Sequence, residues 1–239
     1  MKLKTKNFYD ILNKVSLSGL ISDCFLEIKE GGDGKVSTLD LTRSIFIQAE
    51  SKIAIDDKSC KNILQLKEIG KFYKFIGDIK EKEETVKIEI KENRLCLFTK
   101  SKGTVKFLLG EVEENQQNKT QKGIDKILES VKNRKELKME KVNEILYFIN
   151  LFNCEELQLR IKNGEMSIGS LENAIQTFSI SMGEEKVEDS ELRFNAQFFK
   201  AIMSTIKWTS KYSPIMFYRK DSPIVFQQGK ALWILALIS

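Results

Sequence analysis

Residues 192–239 read LRFNAQFFKAIMSTIKWTSKYSPIMFYRKDSPIVFQQGKALWILALIS, and the order of elements in this stretch decides the fold. Phe198 or Phe199, Ile202, Met203 and Ile206 recur at the spacing of one helical face, with Asn195 in the N-cap position. Ile215–Tyr218 and Ile224–Phe226 then alternate at period 2, and ALWILALIS closes as a strongly apolar strand. The end of the chain is therefore a helix followed by three strands.

Working outward, the same order closes the first half. Ile69, Phe72, Tyr73 and Ile76 carry the helical spacing, and Val86–Ile90 and Val105–Leu109 carry the alternation. Each half also begins alike. Phe8, Ile11, Leu12 and Val15 form one apolar stripe, and Val142, Ile145, Leu146 and Ile149 form another. Strand patterns follow each, at Phe25–Lys29 and Ile45–Ala49 in the first half and at Leu157–Ile161 and Phe178–Ile180 in the second. Gly34-Lys-Val-Ser matches Gly164-Glu-Met-Ser, and Gly103, Phe107 and Leu109 match Gly229, Trp233 and Leu235. Strand, helix, several strands, helix, three strands, twice over, is a tandem duplication.

The expected fold class is therefore α+β, in two tandem domains, 1–111 and 134–239. Between them lies 112–133, VEENQQNKTQKGIDKILESVKN. Its first dozen residues are polar and without period, which predicts an exposed connector. Ile124, Ile127, Leu128 and Val131 either form a short helix or dock the connector on a sheet.

Composition narrows the chemistry. Of 239 residues, 41% are hydrophobic and 31% charged, which excludes wholesale disorder. No run approaches the roughly 18 apolar residues of a membrane span. The chain has no histidine, so Ser-His-Asp catalysis, Cys-His catalysis and His-ligated metals are excluded. Cys24, Cys60, Cys96 and Cys154 contain no CxxC pair and read as free thiols in a reducing compartment. The GGDG at 31–34 is a tight turn, since no Lys-Ser/Thr and helix start follow it. Asp40 reads as a structural hydrogen-bond acceptor. No catalytic residue, metal or cofactor is expected.

Charge points to a polyanion. Net charge is +5, and the four helical segments sum to +1, +2, −1 and +3 in chain order, which equals the whole excess. If those helices share a face, that face is electropositive. The bland alternative is solvated helix surface. The apolar strand that ends the first half either packs inside the chain or pairs with another subunit's edge.

This pattern resembles the sliding clamps of DNA replication, of the proliferating cell nuclear antigen type and the related phage clamps. The resemblance extends over the whole chain. PIMFYRKDSPIVFQQGKALWILALIS is similar to the family's last three strands, and LRFNAQFFKAIMSTIKW to the strand and helix before them. KNFYDILNKV resembles the first helix, and GKVSTLDLTRSIFIQAES the strand, loop and strand that carry half of the partner pocket.

The resemblance implies a ring-shaped homotrimer with helices lining the hole and sheets outside. The chain would be a non-enzymatic processivity factor that encircles duplex DNA at the replication fork, inside the cell. DNA polymerase, a clamp loader and other proteins bearing clamp-binding motifs would be its partners, and no membrane. Lys14, Lys71, Lys74, Lys200, Lys207 and Lys211 are the implied DNA contacts. Leu39, Arg43, Phe46, Pro223, Ile234 and Ala236 are the implied peptide pocket. The strand with Val105, Phe107 and Leu109 would meet the neighbour's strand with Phe178 and Ile180. Two further readings stand beside it: a subunit of a heteromeric ring, and a two-domain nucleic-acid-binding adaptor that forms no ring. The chain departs from the family in its positive net charge, its longer connector and the lack of arginines in NEILYFINLF.

Overall fold

The duplicated order read from the sequence is present in the computed structural model, which describes residues 1–40, 42–54, 62–112, 114–172, 174–209 and 213–238. The first half runs β1 (Lys2–Lys4), α1 (Thr5–Ser16), β2 (Cys24–Ile28), β3 (Asp33–Leu39), β4 (Ile45–Lys52) and β5 (Asn62–Leu66). It continues with α2 (Ile69–Ile79), β6 (Thr85–Lys91), β7 (Arg94–Thr99) and β8 (Gly103–Gly110). After α3 (Glu114–Ser130) come β9 (Asn133–Glu136), α4 (Met139–Phe152), β10 (Glu156–Lys162), β11 (Glu165–Gly169), β12 (Ser179–Glu184) and β13 (Ser190–Asn195). The chain ends with α5 (Ala196–Thr205), β14 (Ile215–Tyr218), β15 (Ile224–Gln228) and β16 (Ala231–Leu235). Either side of α3 the order is strand, helix, four strands, helix, three strands.

By packing, the chain divides into Met1–Thr42 with Phe46–Asn118, and Arg43–Ile45 with Lys119–Ser239. Within the first unit the strands lie in the order β1-β6-β7-β8-β5-β2-β3-β4, every pair antiparallel. The second unit repeats this as β9-β14-β15-β16 and β13-β10-β11-β12. Among the described residues, the two halves of the first unit's sheet pair at Gln65 with Gly110 and Leu66 with Leu109.

Sheet alternation decides which side chains reach the helices. Leu3, Val86, Ile88, Leu95 and Leu97 are buried, whereas Lys87 and Lys106 on the alternate positions are exposed. Phe8 of α1 meets Phe72 of α2 edge-on at 5.5 Å between ring centres. In the second unit Phe199 of α5 packs on Phe194 and Phe226, both fully buried. Asn195 caps α5 as expected, its Oδ1 accepting from the Phe198 N–H at 3.0 Å. The hairpin from β10 to β11 turns on Asn163 and Gly164, both at positive φ (52° and 80°), as a two-residue primed turn requires.

The connector differs from its sequence reading. Residues 114–130 form one helix, where the first dozen residues had predicted an irregular segment. The reason is compositional. Glu, Gln and Lys are good helix formers that leave no apolar period, so a helix that buries little is invisible to periodicity. Gln121 donates to Asp125 one turn on at 2.9 Å, Ile124 is buried, and Leu128 remains exposed.

Candidate functional site

Each unit presents a pair of helices. In the first, α1 and α2 lie together through the Phe8–Phe72 contact, with Tyr9 stacked on Tyr73 at 4.7 Å and their hydroxyls 2.6 Å apart. Burial first, then the hydrogen bond and charge of Tyr9, push the Tyr73 phenol up to about 12. The Lys80 ammonium sits 3.4 Å from the centre of the Tyr9 ring. Lys71 and Lys74 lie exposed on α2, Lys71 paired with Glu68 at the helix start, and Lys14 is half-buried in the last turn of α1. An exposed pair such as Lys71–Glu68 contributes little. It leaves both lysines available to a stronger anion.

In the second unit Lys200 of α5 donates to Asn150 of α4 at 2.6 Å, tying the two helices at their surface. Lys207 is exposed just beyond the end of α5, with its backbone N–H held by Gln228 at 3.2 Å. Lys211 lies outside the described residues. The exposed face of α4 carries Tyr147 and Leu151, and its one lysine, Lys141, pairs with Glu144. The structure thus brings Lys14, Lys71 and Lys74 onto one helix pair and Lys200 onto the other, with Lys207 beside its end. Tyr9 and Lys80 escaped the sequence reading, which took Tyr73 only as part of an apolar helical stripe. The signal for the two tyrosines was the repeated Phe-Tyr dipeptide, Phe8-Tyr9 and Phe72-Tyr73, which sets an apolar ring inward and a phenol beside it on both helices.

The residues assigned to a peptide pocket fall into two groups. In the first unit Leu39 and Phe46 are direct cross-strand partners of β3 and β4, Leu39 exposed and Phe46 buried. In the second, Ile234 of β16 pairs with Val225, Pro223 leads into β15, and the Ala236 N–H donates to the Ser44 carbonyl at 2.8 Å. Arg43, next to Ser44, is exposed with φ 58°. Asp40 accepts from the Thr42 N–H at 3.2 Å, the structural role expected of it.

The strands assigned to a subunit joint have open backbone. Among the described residues β5 covers only the last two residues of β8, and β12 pairs on one side alone, with β11. Their inward side chains are engaged at home. Phe107 meets Phe72 at 4.6 Å, Leu109 is buried opposite Leu66, and Val105 is half-buried. Phe178 stacks on Phe148 of α4 at 5.1 Å, and Ile180 is 6% exposed. The outward large apolar side chain on β8 is Leu108, 59% exposed. No helix among the described residues is long and apolar enough to cross a membrane.

No protein-family model matches the chain, and no curated protein sequence does. Solved structures do. The DNA polymerase III beta subunit of Thermotoga maritima superposes with a TM-score of 0.74 at 14% identity, covering 100% of this chain and 65% of that one. The Helicobacter pylori beta clamp, bound to a DNA ligase peptide, gives 0.72 at 14%, covering 100% and 65%. The PCNA2–PCNA3 complex of Sulfolobus tokodaii gives 0.67 at 13%, covering 99% of each chain. The chain therefore spans about two-thirds of the length of the bacterial beta subunits and nearly all of the archaeal chain. Over its whole length it has the fold of the DNA sliding clamps.

Proposed function

We propose that the chain is a DNA sliding clamp, a non-enzymatic processivity factor that encircles duplex DNA and tethers a DNA polymerase at the replication fork. The observation that carries this is the clamp fold over the entire chain, built from two units that each present a helix pair. Lysines on those helices make phosphate contacts without base readout, which suits a protein that must move along DNA. Tethering works by effective concentration, turning polymerase rebinding into an intramolecular event.

The near-complete match to an archaeal PCNA chain, against 65% of the beta subunits, favours closure by three copies. In that assembly the domains are 1–111 and 134–239, joined by 112–133. The open edge of β8 (Gly103–Gly110) pairs with the open edge of β12 (Ser179–Glu184) of the next copy. Partners insert an apolar or aromatic anchor against Leu39, Phe46, Pro223, Ile234 and Ala236, with Arg43 at the rim. The bound ligase peptide on the Helicobacter pylori clamp supports that mode of docking. A second reading, membership of a heteromeric ring, is favoured by the archaeal match being a complex of two different PCNA chains.

The test is retention on DNA. Loaded on a nicked circle, the protein is expected to survive a high-salt wash and to leave when the circle is linearised. Equal retention on circular and linear DNA excludes encirclement. The mass of the purified chain separates a homotrimer from a subunit that needs a second gene product.

A further inference from the structure

The face of β1, β6, β7 and β8 turned away from α1 and α2 carries Lys2, Lys4, Lys87, Lys91, Arg94 and Lys106. Glu89 is its one acid. Register places Lys2 directly opposite Lys87, and Lys91 directly opposite Arg94 across a two-residue turn, Glu92-Asn93, at positive φ. Like charges directly opposite on neighbouring strands destabilise a sheet. Glu89 bridges Lys87 and Lys91 at 2.7 and 2.6 Å, and hydrogen bonds from these two hold its carboxyl down to about 2. Lys2, Lys4, Arg94 and Lys106 have no ion pair among the described residues.

The equivalent sheet of the second unit, β9-β14-β15-β16, differs: its corresponding face carries Arg134 and Glu136, exposed, with half-buried Ile215 and Phe217 and buried Val225 and Ile234. In the middle of the basic face Phe98, half-buried, lies opposite Lys87, and the ammonium groups of Lys87 and Lys91 stand 5.3 and 5.9 Å from its ring centre. Alternate residues on a strand are about 7 Å apart and adjacent strands about 5 Å, so the cations stand around Phe98 with Glu89 and buried Cys96 between them and exposed Leu108 opposite Arg94.

We propose that this outer face binds single-stranded nucleic acid, the lysines and Arg94 taking its phosphates and Phe98 one of its bases. Uncompensated cations supply the electrostatic groove, and an aromatic ring set among them supplies the stacking platform. A duplex hides its base faces from such a ring, and an acidic peptide has none to offer. The surface lies within one unit, so it operates whether or not the chain closes into a ring.

The experiment measures the anisotropy of a labelled oligothymidylate against the full chain over a salt series. Replacing Lys2, Arg94 and Lys106 together by Gln is expected to weaken binding about tenfold or more. It should also flatten the salt dependence by about 2 in logarithmic slope, at ~0.7 per lost phosphate contact. Phe98→Ala is expected to weaken binding several-fold at unchanged slope. Gln at Lys71, Lys74 and Lys207 is expected to weaken oligothymidylate binding less than the sheet variant does, while weakening duplex binding more. The three sheet residues are exposed, and unchanged circular dichroism confirms the fold of the variant. Wild-type affinity in the sheet variant overturns the proposal, and displacement by polyglutamate as effective as by unlabelled oligothymidylate assigns the face to acidic protein instead. Neither result bears on retention on circular DNA, which tests the clamp reading separately.

Discussion

The two units pin the segment that follows their second helix with different chemistry. In the first, Glu83, 6% exposed, accepts from the Lys100 and Ser101 N–H groups at 3.1 and 2.9 Å and from the Ser101 hydroxyl at 2.6 Å. This ties the end of α2 to the turn between β7 and β8. In the second, Gln228, 8% exposed, reaches the other way. Its amide accepts from the Lys207 N–H at 3.2 Å and donates to the Lys207 carbonyl at 3.0 Å, tying the end of β15 to the segment after α5. One topological need is met by an ionisable group in one unit and a neutral group in the other. A repeated fold thus constrains where a polar lock sits but leaves its charge free, and the charge decides how the unit responds to acid.

Breaking the locks is the most direct way to probe this comparison. Glu83→Ala orphans two backbone N–H groups and a hydroxyl in a buried place, and is expected to cost about 3 kcal/mol in urea unfolding. Gln228→Ala removes a neutral pair and is expected to cost about 1–2 kcal/mol. Equal losses would mean that charge adds nothing to the first lock.

Acid separates the units more finely. Burial opposes the charge of Glu83, but the Ser101 hydroxyl and the N–H groups of Ser101 and Lys100 outweigh it, so its carboxyl titrates below the ordinary glutamate value. A depressed carboxyl contributes stability that is complete above the unfolded value, about 4.3, and lost as pH falls through the folded one. Amide protection is therefore expected to fall at Lys100 and Ser101 below about pH 4, while Lys207, held by an amide, is spared this loss. Glu83→Gln should abolish the difference.

The smallest effect sharpens the contrast between the helix pairs. Tyr9→Phe removes one partner of the hydroxyl pair with Tyr73, where α4 and α5 are joined instead by the Lys200–Asn150 hydrogen bond. It is expected to cost about 1 kcal/mol or less. Ultraviolet titration should show the Tyr73 phenol falling from about 12 yet staying above its ordinary value, since burial remains the larger cause. A return to the ordinary value would make the hydroxyl pair the dominant cause.

Element types and their order were legible along the chain because alternation and the helical stripe are local signals, and a duplication writes them twice. The Asn195 cap and the Asn163-Gly164 turn were legible for the same reason: each is a contact within three residues. The α3 helix was not, since its residues make a helix without burying a stripe. Of the implied DNA contacts, the sequence could place Lys71 and Lys74 on one helix, but not the pairing of Lys71 with Glu68 or of Lys200 with Asn150.

By itself, then, the sequence determined the inventory: two repeats of strand, helix, several strands, helix and three strands, an absence of histidine chemistry, and an excess of cations. Only the tertiary structure decided which cations share a surface. Lys2 and Lys87 are far apart in sequence and become neighbours through strand register alone. Tertiary packing likewise turned Phe107 and Phe178 inward, onto Phe72 and Phe148. The physical reason is that periodicity reports which face of its own element a residue occupies, whereas partners are chosen by long-range pairing that no local pattern encodes.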